Sequence, residues 1–120
     1  FEIWAAVAAF RDGGEWLDAL REYIYENKQR VTQFIETELP KIKLIHSEAT
    51  YLLWLDCSAV CDNSEELADS IRERTGLYLS DGVQYGRTGE KFLRLNIACP
   101  GERLEDGLKR LKDGIEGYRK

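Results

Sequence analysis

Arg94 stands in the middle of the run Phe92-Leu93-Arg94-Leu95-Asn96-Ile97-Ala98-Cys99-Pro100, whose alternation predicts a short strand. Leu93, Leu95 and Ile97 take one face, and Phe92, Arg94 and Asn96 take the other. Strands favour β-branched and aromatic residues, so an arginine in mid-strand is uncommon. A guanidinium fork held on a rigid strand suits a carboxylate, which it grips through two parallel hydrogen bonds. Asn96 shares that face and adds a polar group beside it. Strand composition alone leaves a second reading open, and favours it: a surface arginine on the solvent side of a half-exposed sheet. Just upstream, residues 80–90 (SDGVQYGRTGE) read as a loop with Gly82, Gly86 and Gly89. This is either a lid beside a ligand or a plain hairpin connection. Tyr85 at its centre is the side chain placed to meet a ligand.

No other cluster supplies a complete catalytic apparatus. Cys57, Cys61, Cys99 and the lone His46 can be drawn as a zinc site, but the Cys-x3-Cys spacing is loose and His46 has no histidine partner nearby. Small buried thiols are the better reading. Ser58 and His46 lack the motif that surrounds a nucleophilic serine. Trp54 and Asp56 share a strand face, and both read as structural, since Asp56 has no evident acid–base partner. No catalytic, cofactor-binding or metal-binding residue is therefore assigned.

These residues need a scaffold, and 120 residues give one domain, 1–120, with a single core. A hydrophobic fraction of 43% and a charged fraction of 32% place it among globular chains. The net charge of −5 argues against nucleic acid or an anionic membrane as partner. No apolar run is long enough to span a membrane, and no basic-then-apolar leader is seen. Three cysteines without framework spacing point to reduced thiols and a cytoplasmic location. The chain lacks methionine and opens on Phe1 inside an apolar run, which leads us to expect a piece of a longer polypeptide.

Periodicity predicts a helix over 1–10, apolar nearly all round and wanting burial on several sides, stopped at Asp12-Gly13-Gly14. A long helix follows over 15–39 and ends at Pro40. Strands are predicted at 42–46 and 50–57. A helix over 64–75 has two possible capping pairs, Asp62 with Glu65 and Asn63 with Glu66, and closes at Gly76. A short strand at 77–79 and the strand carrying Arg94 come next. The last helix starts near Pro100 and runs to about 118 on a stripe of Leu104, Leu108, Leu111 and Ile115. Its basic run (Lys109, Arg110, Lys112, Arg119, Lys120) suits a helix C-terminus. The order is that of an α+β, two-layer fold: a small, mostly antiparallel sheet of three or four strands with helices on one side. The strands do not alternate strictly with helices, so it is not a doubly wound dinucleotide fold.

The pattern Tyr85-Gly86…Gly89-Glu90-Lys91-Phe92-Leu93-Arg94-Leu95-Asn96-Ile97-Ala98-Cys99-Pro100 resembles the C-terminal signature of the fold-type I pyridoxal-phosphate (PLP) enzymes. It is most similar to their cystathionine β-lyase branch, the MalY/PatB-like enzymes. Ala49-Thr50-Tyr51-Leu52-Leu53-Trp54-Leu55-Asp56-Cys57 resembles that branch's GTYLLWLDC-like strand, and Gly14-Glu15-Trp16-Leu17-Asp18 resembles the opening of its long helix. The likeness covers essentially the whole chain. It departs at Ala49, where the family often has glycine, and at Gly101, where an arginine often follows Ala-Cys-Pro; Arg103 lies two positions later.

The resemblance implies an aminotransferase-type small C-terminal domain, with residues 1–13 as the helix joining it to the large domain. It implies that Arg94 binds the substrate α-carboxylate, with Asn96 and Tyr85 in lesser roles, and that the loop at Gly82 to Gly86 lies near the active-site mouth. The parent would be a PLP enzyme acting on cystathionine or cysteine-like amino acids, as lyase or aminotransferase. Its expected partners are the large PLP-binding domain, an amino-acid substrate and a second subunit. No segment resembles the surroundings of the family's Schiff-base lysine, so the chain alone is expected to bind no cofactor and to be inactive. The other reading is a stand-alone small-molecule-binding or protein-interaction module. The two differ over Phe1, Ile3, Trp4, Val7 and Phe10, which a domain of a larger protein leaves bare and a self-contained module covers.

Overall fold

The alternation around Arg94 is realised as strand β4, Phe92–Asn96, paired antiparallel along its length with β2, Leu52–Asp56. The computed structural model describes residues 2–118; Phe1, Arg119 and Lys120, named above, lie outside the described residues. Strand β1, Lys43–Leu44, flanks β2, and β3, Ser80–Asp81, flanks β4, so the sheet order is β1-β2-β4-β3. All three pairings are antiparallel.

The sheet has one dry face. Leu53, Leu55, Leu93 and Leu95 are buried, whereas Trp54, Asp56, Phe92 and Arg94 are half-buried and Asn96 is exposed. Three helices cover the dry face: α2 (Gly14–Glu38), α3 (Ser64–Thr75) and α4 (Gly101–Glu116). They contribute Val31, Phe34 and Ile35, Leu67 and Ile71, and Leu104, Leu108, Leu111 and Ile115 to a single core. Each such side chain, fully buried, contributes about 1.5–3 kcal/mol. The expected two-layer α+β architecture is the observed one.

Helix ends follow side-chain chemistry. Of the two capping pairs on offer for α3, the structure uses Asn63, whose Oδ1 accepts from the N–H groups of Glu65 (2.8 Å) and Glu66 (3.4 Å). Gly76 ends the helix at φ 79°, the left-handed conformation that glycine adopts without strain. Helices α3 and α4 approach closely at Gly114, where an added Cβ would lie 2.7 Å from Ile71 Cγ1. A two-pronged Arg30–Glu105 pair (2.5 and 2.9 Å) ties α2 to α4, as does Lys112–Glu38 at 2.7 Å.

Three local expectations are corrected. The break at Asp12-Gly13-Gly14 takes up only Gly13, because helix α1 (Glu2–Asp12) runs almost into α2. Gly13 N–H donates to Ala9 O (3.0 Å) and Leu17 N–H donates to Gly13 O (2.9 Å), so backbone bonding passes through the joint. Helix α1, apolar nearly all round, buries none of its residues within this chain. The short strand predicted at 77–79 lies instead at Ser80–Asp81, since its place is decided by pairing with β4 rather than by apolar content. Nor is the 80–90 loop a featureless connection. It folds into two short 3-10 turns, Gly82–Tyr85 and Arg87–Gly89. Gly82 and Gly89 meet so closely that a Cβ on either would fall 2.2 Å from the other's carbonyl oxygen.

Candidate functional site

The half-buried face of the sheet carries the candidate site, with Arg94 at its centre. Its strand is held at both ends. Beyond the C-terminal end, the buried side chain of Asn27 in α2 donates from Nδ2 to the carbonyls of Ile97 (2.9 Å) and Cys99 (3.1 Å). Ile97 N–H also donates to Tyr51 O at 2.9 Å. At the other end, Cys57 N–H donates to Lys91 O (2.9 Å) and Ser64 N–H to Glu90 O (2.6 Å). A side chain on such a strand inherits a well-defined origin, which recognition of a small anion requires.

Arg94 is directly opposite Trp54 in the β2–β4 register and opposite Ser80 in β3–β4. Its guanidinium carbon lies 5.1 Å from the ring centroid of Tyr85, a cation–π distance. Nη2 donates to Ser80 Oγ at 3.4 Å, a long bond. Among the described residues no carboxylate pairs with Arg94. The internal ion pair that a purely structural arginine would make is thus not seen. A charge in this state retains most of its hydrogen-bonding capacity for an incoming anion.

Tyr85 is half-exposed and meets Trp54 edge-on (5.6 Å between centroids, 82° between planes). Trp54 meets Phe92 in the same way at 6.3 Å and 81°. Arg94 and Tyr85 are therefore brought together as the sequence suggested. Asn96 is on the same face, but its Oδ1 accepts from the N–H of Ala98 at 2.8 Å, leaving its amide NH2 as the group open to a ligand. Three neighbours of Arg94 escaped the sequence reading. By residue type and alternation Trp54 reads as structural only, and nothing in their own segments marks Ser80 or Phe92 as site residues. The alternation of 50–57 and 92–97 already put Trp54 on one strand face and Arg94 on another; only the register joined them.

The remaining candidates are occupied elsewhere. The carboxyl of Asp56 is held below its ordinary range, chiefly because Oδ1 accepts from Ser58 N–H at 3.0 Å, with Lys43 and Lys91 adding positive charge. Burial pushes the thiols of Cys57 and Cys99 upward and keeps them neutral, the opposite of an activated nucleophile. His46 lies 3.6 Å from Glu48. Arg103 is exposed on α4. No three or more metal-ligating side chains gather among the described residues, and none of the described lysines is buried. Lys28 donates to Ser47 O and Lys112 to Glu38. These amines are not the desolvated kind that forms a Schiff base, so the described residues do not fit a PLP site. A groove of about 660 Å³ at the ends of α3 and α4 contains Arg110, whose Nη1 donates to Thr75 O at 2.5 Å, so it closes a helix end.

No family model matches the chain. Cystathionine β-lyase PatB of Bacillus subtilis is 42% identical over 115 residues, which are 96% of this chain and 30% of that protein. Protein MalY of Escherichia coli is 32% identical over the same shares of both chains. The PLP-bound C–S lyase of Staphylococcus hominis superimposes with a TM-score of 0.84 at 31% identity, over 92% of this chain and 30% of that one. The chain thus spans about 30% of the length of these relatives. Its layered sheet and helices are those of the small C-terminal domain of the fold-type I PLP enzymes, the aminotransferase class. Within that class the chain belongs to the MalY/PatB-like cystathionine β-lyase branch, whose full-length members carry PLP.

Proposed function

We propose that this domain serves a PLP-dependent C–S lyase or aminotransferase by gripping the α-carboxylate of its amino-acid substrate through Arg94. The observation that carries the reading is the state of that side chain. It is a half-buried guanidinium on a doubly pinned strand, lying over an aromatic ring and paired with no carboxylate among the described residues. PatB is named a cystathionine β-lyase, which supports cystathionine or a related sulfur amino acid as substrate. When bound to the rest of the polypeptide, PLP supplies an electron sink for the carbon that loses its proton. This chain's part is positional. Two parallel hydrogen bonds from Arg94 fix the plane of the substrate carboxylate and so the direction of its Cα bonds. Asn96 lends its amide NH2 and Tyr85 a wall.

The same reading assigns α1 as the helix joining the two domains and makes the large domain its cover. Ile3, Trp4 and Phe10 are 78, 77 and 94% exposed. A stand-alone module would bury such residues, so their exposure supports the domain reading over the module. A second subunit, a cytoplasmic location consistent with three free thiols, and inactivity of the chain on its own complete the proposal.

The test uses the full-length protein with Arg94→Ala. Loss of a charge-assisted clamp is expected to cost about 2–3 kcal/mol in kcat/KM toward amino-acid substrates, roughly 30- to 150-fold. Arg94→Lys should recover only part, because an ammonium lacks the planar fork. Unchanged turnover in Arg94→Ala rules the assignment out.

A further inference from the structure

We propose that Tyr85 is a positioning residue for Arg94, its ring face orienting the guanidinium for the substrate carboxylate. The inference rests on the reading of Arg94 given above and extends it to the loop. A planar cation stacked on a ring uses its flat face and leaves the N–H groups in its plane available. Arg94 lies over that ring: its guanidinium carbon is 5.1 Å from the Tyr85 centroid, and the one hydrogen bond its side chain makes among the described residues is the long one to Ser80 Oγ at 3.4 Å.

The ring itself is held in place. It meets Trp54 edge-on at 5.6 Å, and Trp54 is the direct cross-strand partner of Arg94 and is itself braced by Phe92 at 6.3 Å. The backbone of Tyr85 is the last residue of a 3-10 turn whose start is capped by Asp81, with Oδ1 accepting from Gln84 N–H at 3.3 Å. Gly86 N–H donates to Val83 O at 3.1 Å, and the close approach of Gly82 to Gly89 ties the base of the loop. The phenolic oxygen has no hydrogen bond among the described residues. What the site uses is therefore the ring face and not the hydroxyl.

The experiment measures equilibrium binding of L-alanine and of ethylamine, its analogue without the carboxylate, to the full-length holoenzyme by calorimetry. Tyr85→Leu is expected to weaken L-alanine binding about 3- to 30-fold, the range of a partly desolvated cation–π contact, and to leave ethylamine unchanged. Tyr85→Phe keeps the face and should bind within about twofold of the parent. On an Arg94→Ala background the Tyr85→Leu penalty should disappear, because the two residues act through one contact. In steady state KM for amino-acid substrates should rise more than kcat falls. A series of fluorinated phenylalanines at position 85, which drains the ring face without changing its shape, should weaken L-alanine stepwise, and it serves equally if Tyr85→Leu does not fold. Equal loss of both ligands, a penalty that persists without Arg94, or a flat fluorine series overturns the inference. If Arg94→Ala leaves L-alanine binding intact, the carboxylate reading itself fails, a result distinguishable from failure at Tyr85 alone.

Discussion

Asn27 reaches from the middle of α2 to the far end of the sheet and donates its amide to the carbonyl of Ile97 at 2.9 Å, and to that of Cys99 at 3.1 Å. Both acceptors lie just past β4, where the sheet ladder has ended and backbone carbonyls need partners. One buried polar side chain therefore sets where the Arg94 strand stops. Asn27→Leu leaves these carbonyls without their donor, and unfolding by urea should show a loss of about 2–4 kcal/mol. A change within about 0.5 kcal/mol would mean that the amide only fills space.

Two glycines of the same helix should respond oppositely to alanine. At Gly114 a Cβ would sit 2.7 Å from Ile71, a fully buried core residue with no room to retreat. At Gly107 the nearest atom, Leu77 Cδ1, is 3.9 Å away, an ordinary contact. Gly114→Ala should destabilise by about 1–3 kcal/mol through overpacking. Gly107→Ala should stabilise by about 0.5–1 kcal/mol, the gain in helix propensity. Thermal midpoints moving the same way in both variants would contradict the packing described here.

The α2–α4 clamp makes stability depend on pH. Its hydrogen bonds to Arg30 hold the Glu105 carboxyl below its ordinary value of 4.5. The unfolded chain then binds the proton more readily than the folded one, so stability rises with pH through this window. The contribution is complete above the ordinary glutamate value and is lost as pH falls through the lowered folded one. Both side chains are about 40% exposed, which limits the effect to roughly 1 kcal/mol or less, smaller still in high salt. The stability difference between the parent and Glu105→Gln should accordingly be measurable at pH 7 and vanish in acid. A difference constant from pH 7 to pH 3 would show that the pair is not titrating.

The bare face of α1 should make the isolated chain associate with itself. Ile3, Trp4 and Phe10 form an apolar surface that this domain leaves uncovered. Sedimentation of the 120-residue chain should show concentration-dependent association, and Trp4→Glu with Phe10→Glu should abolish it without lowering the thermal midpoint. A strictly monomeric parent chain would favour the self-contained module.

The elements were legible to the extent that local chemistry defines them. Helix α3 runs over the predicted residues because Asn63 and Gly76 cap it with groups a few positions away, and β4 follows its own alternation. The stripe of α4 was equally plain, since Leu104, Leu108, Leu111 and Ile115 recur on one face whatever they pack against. Predictions strayed where the deciding partner is distant. The strand at 77–79 moved to Ser80–Asp81 because β4, twelve or more residues on, sets the register. Gly13 failed to separate two helices because a glycine tolerates the joint without demanding a break.

For the site, the residues themselves named the mid-strand arginine, its face and the tyrosine in the loop, since alternation and residue type are properties of a single segment. Only the folded chain decided that Trp54 faces Arg94, that Tyr85 lies against its guanidinium, that Asn27 pins the strand, and that no carboxylate among the described residues claims the charge. Those are contacts between segments far apart in the chain. They depend on pairing register and helix packing, which periodicity within one segment does not encode.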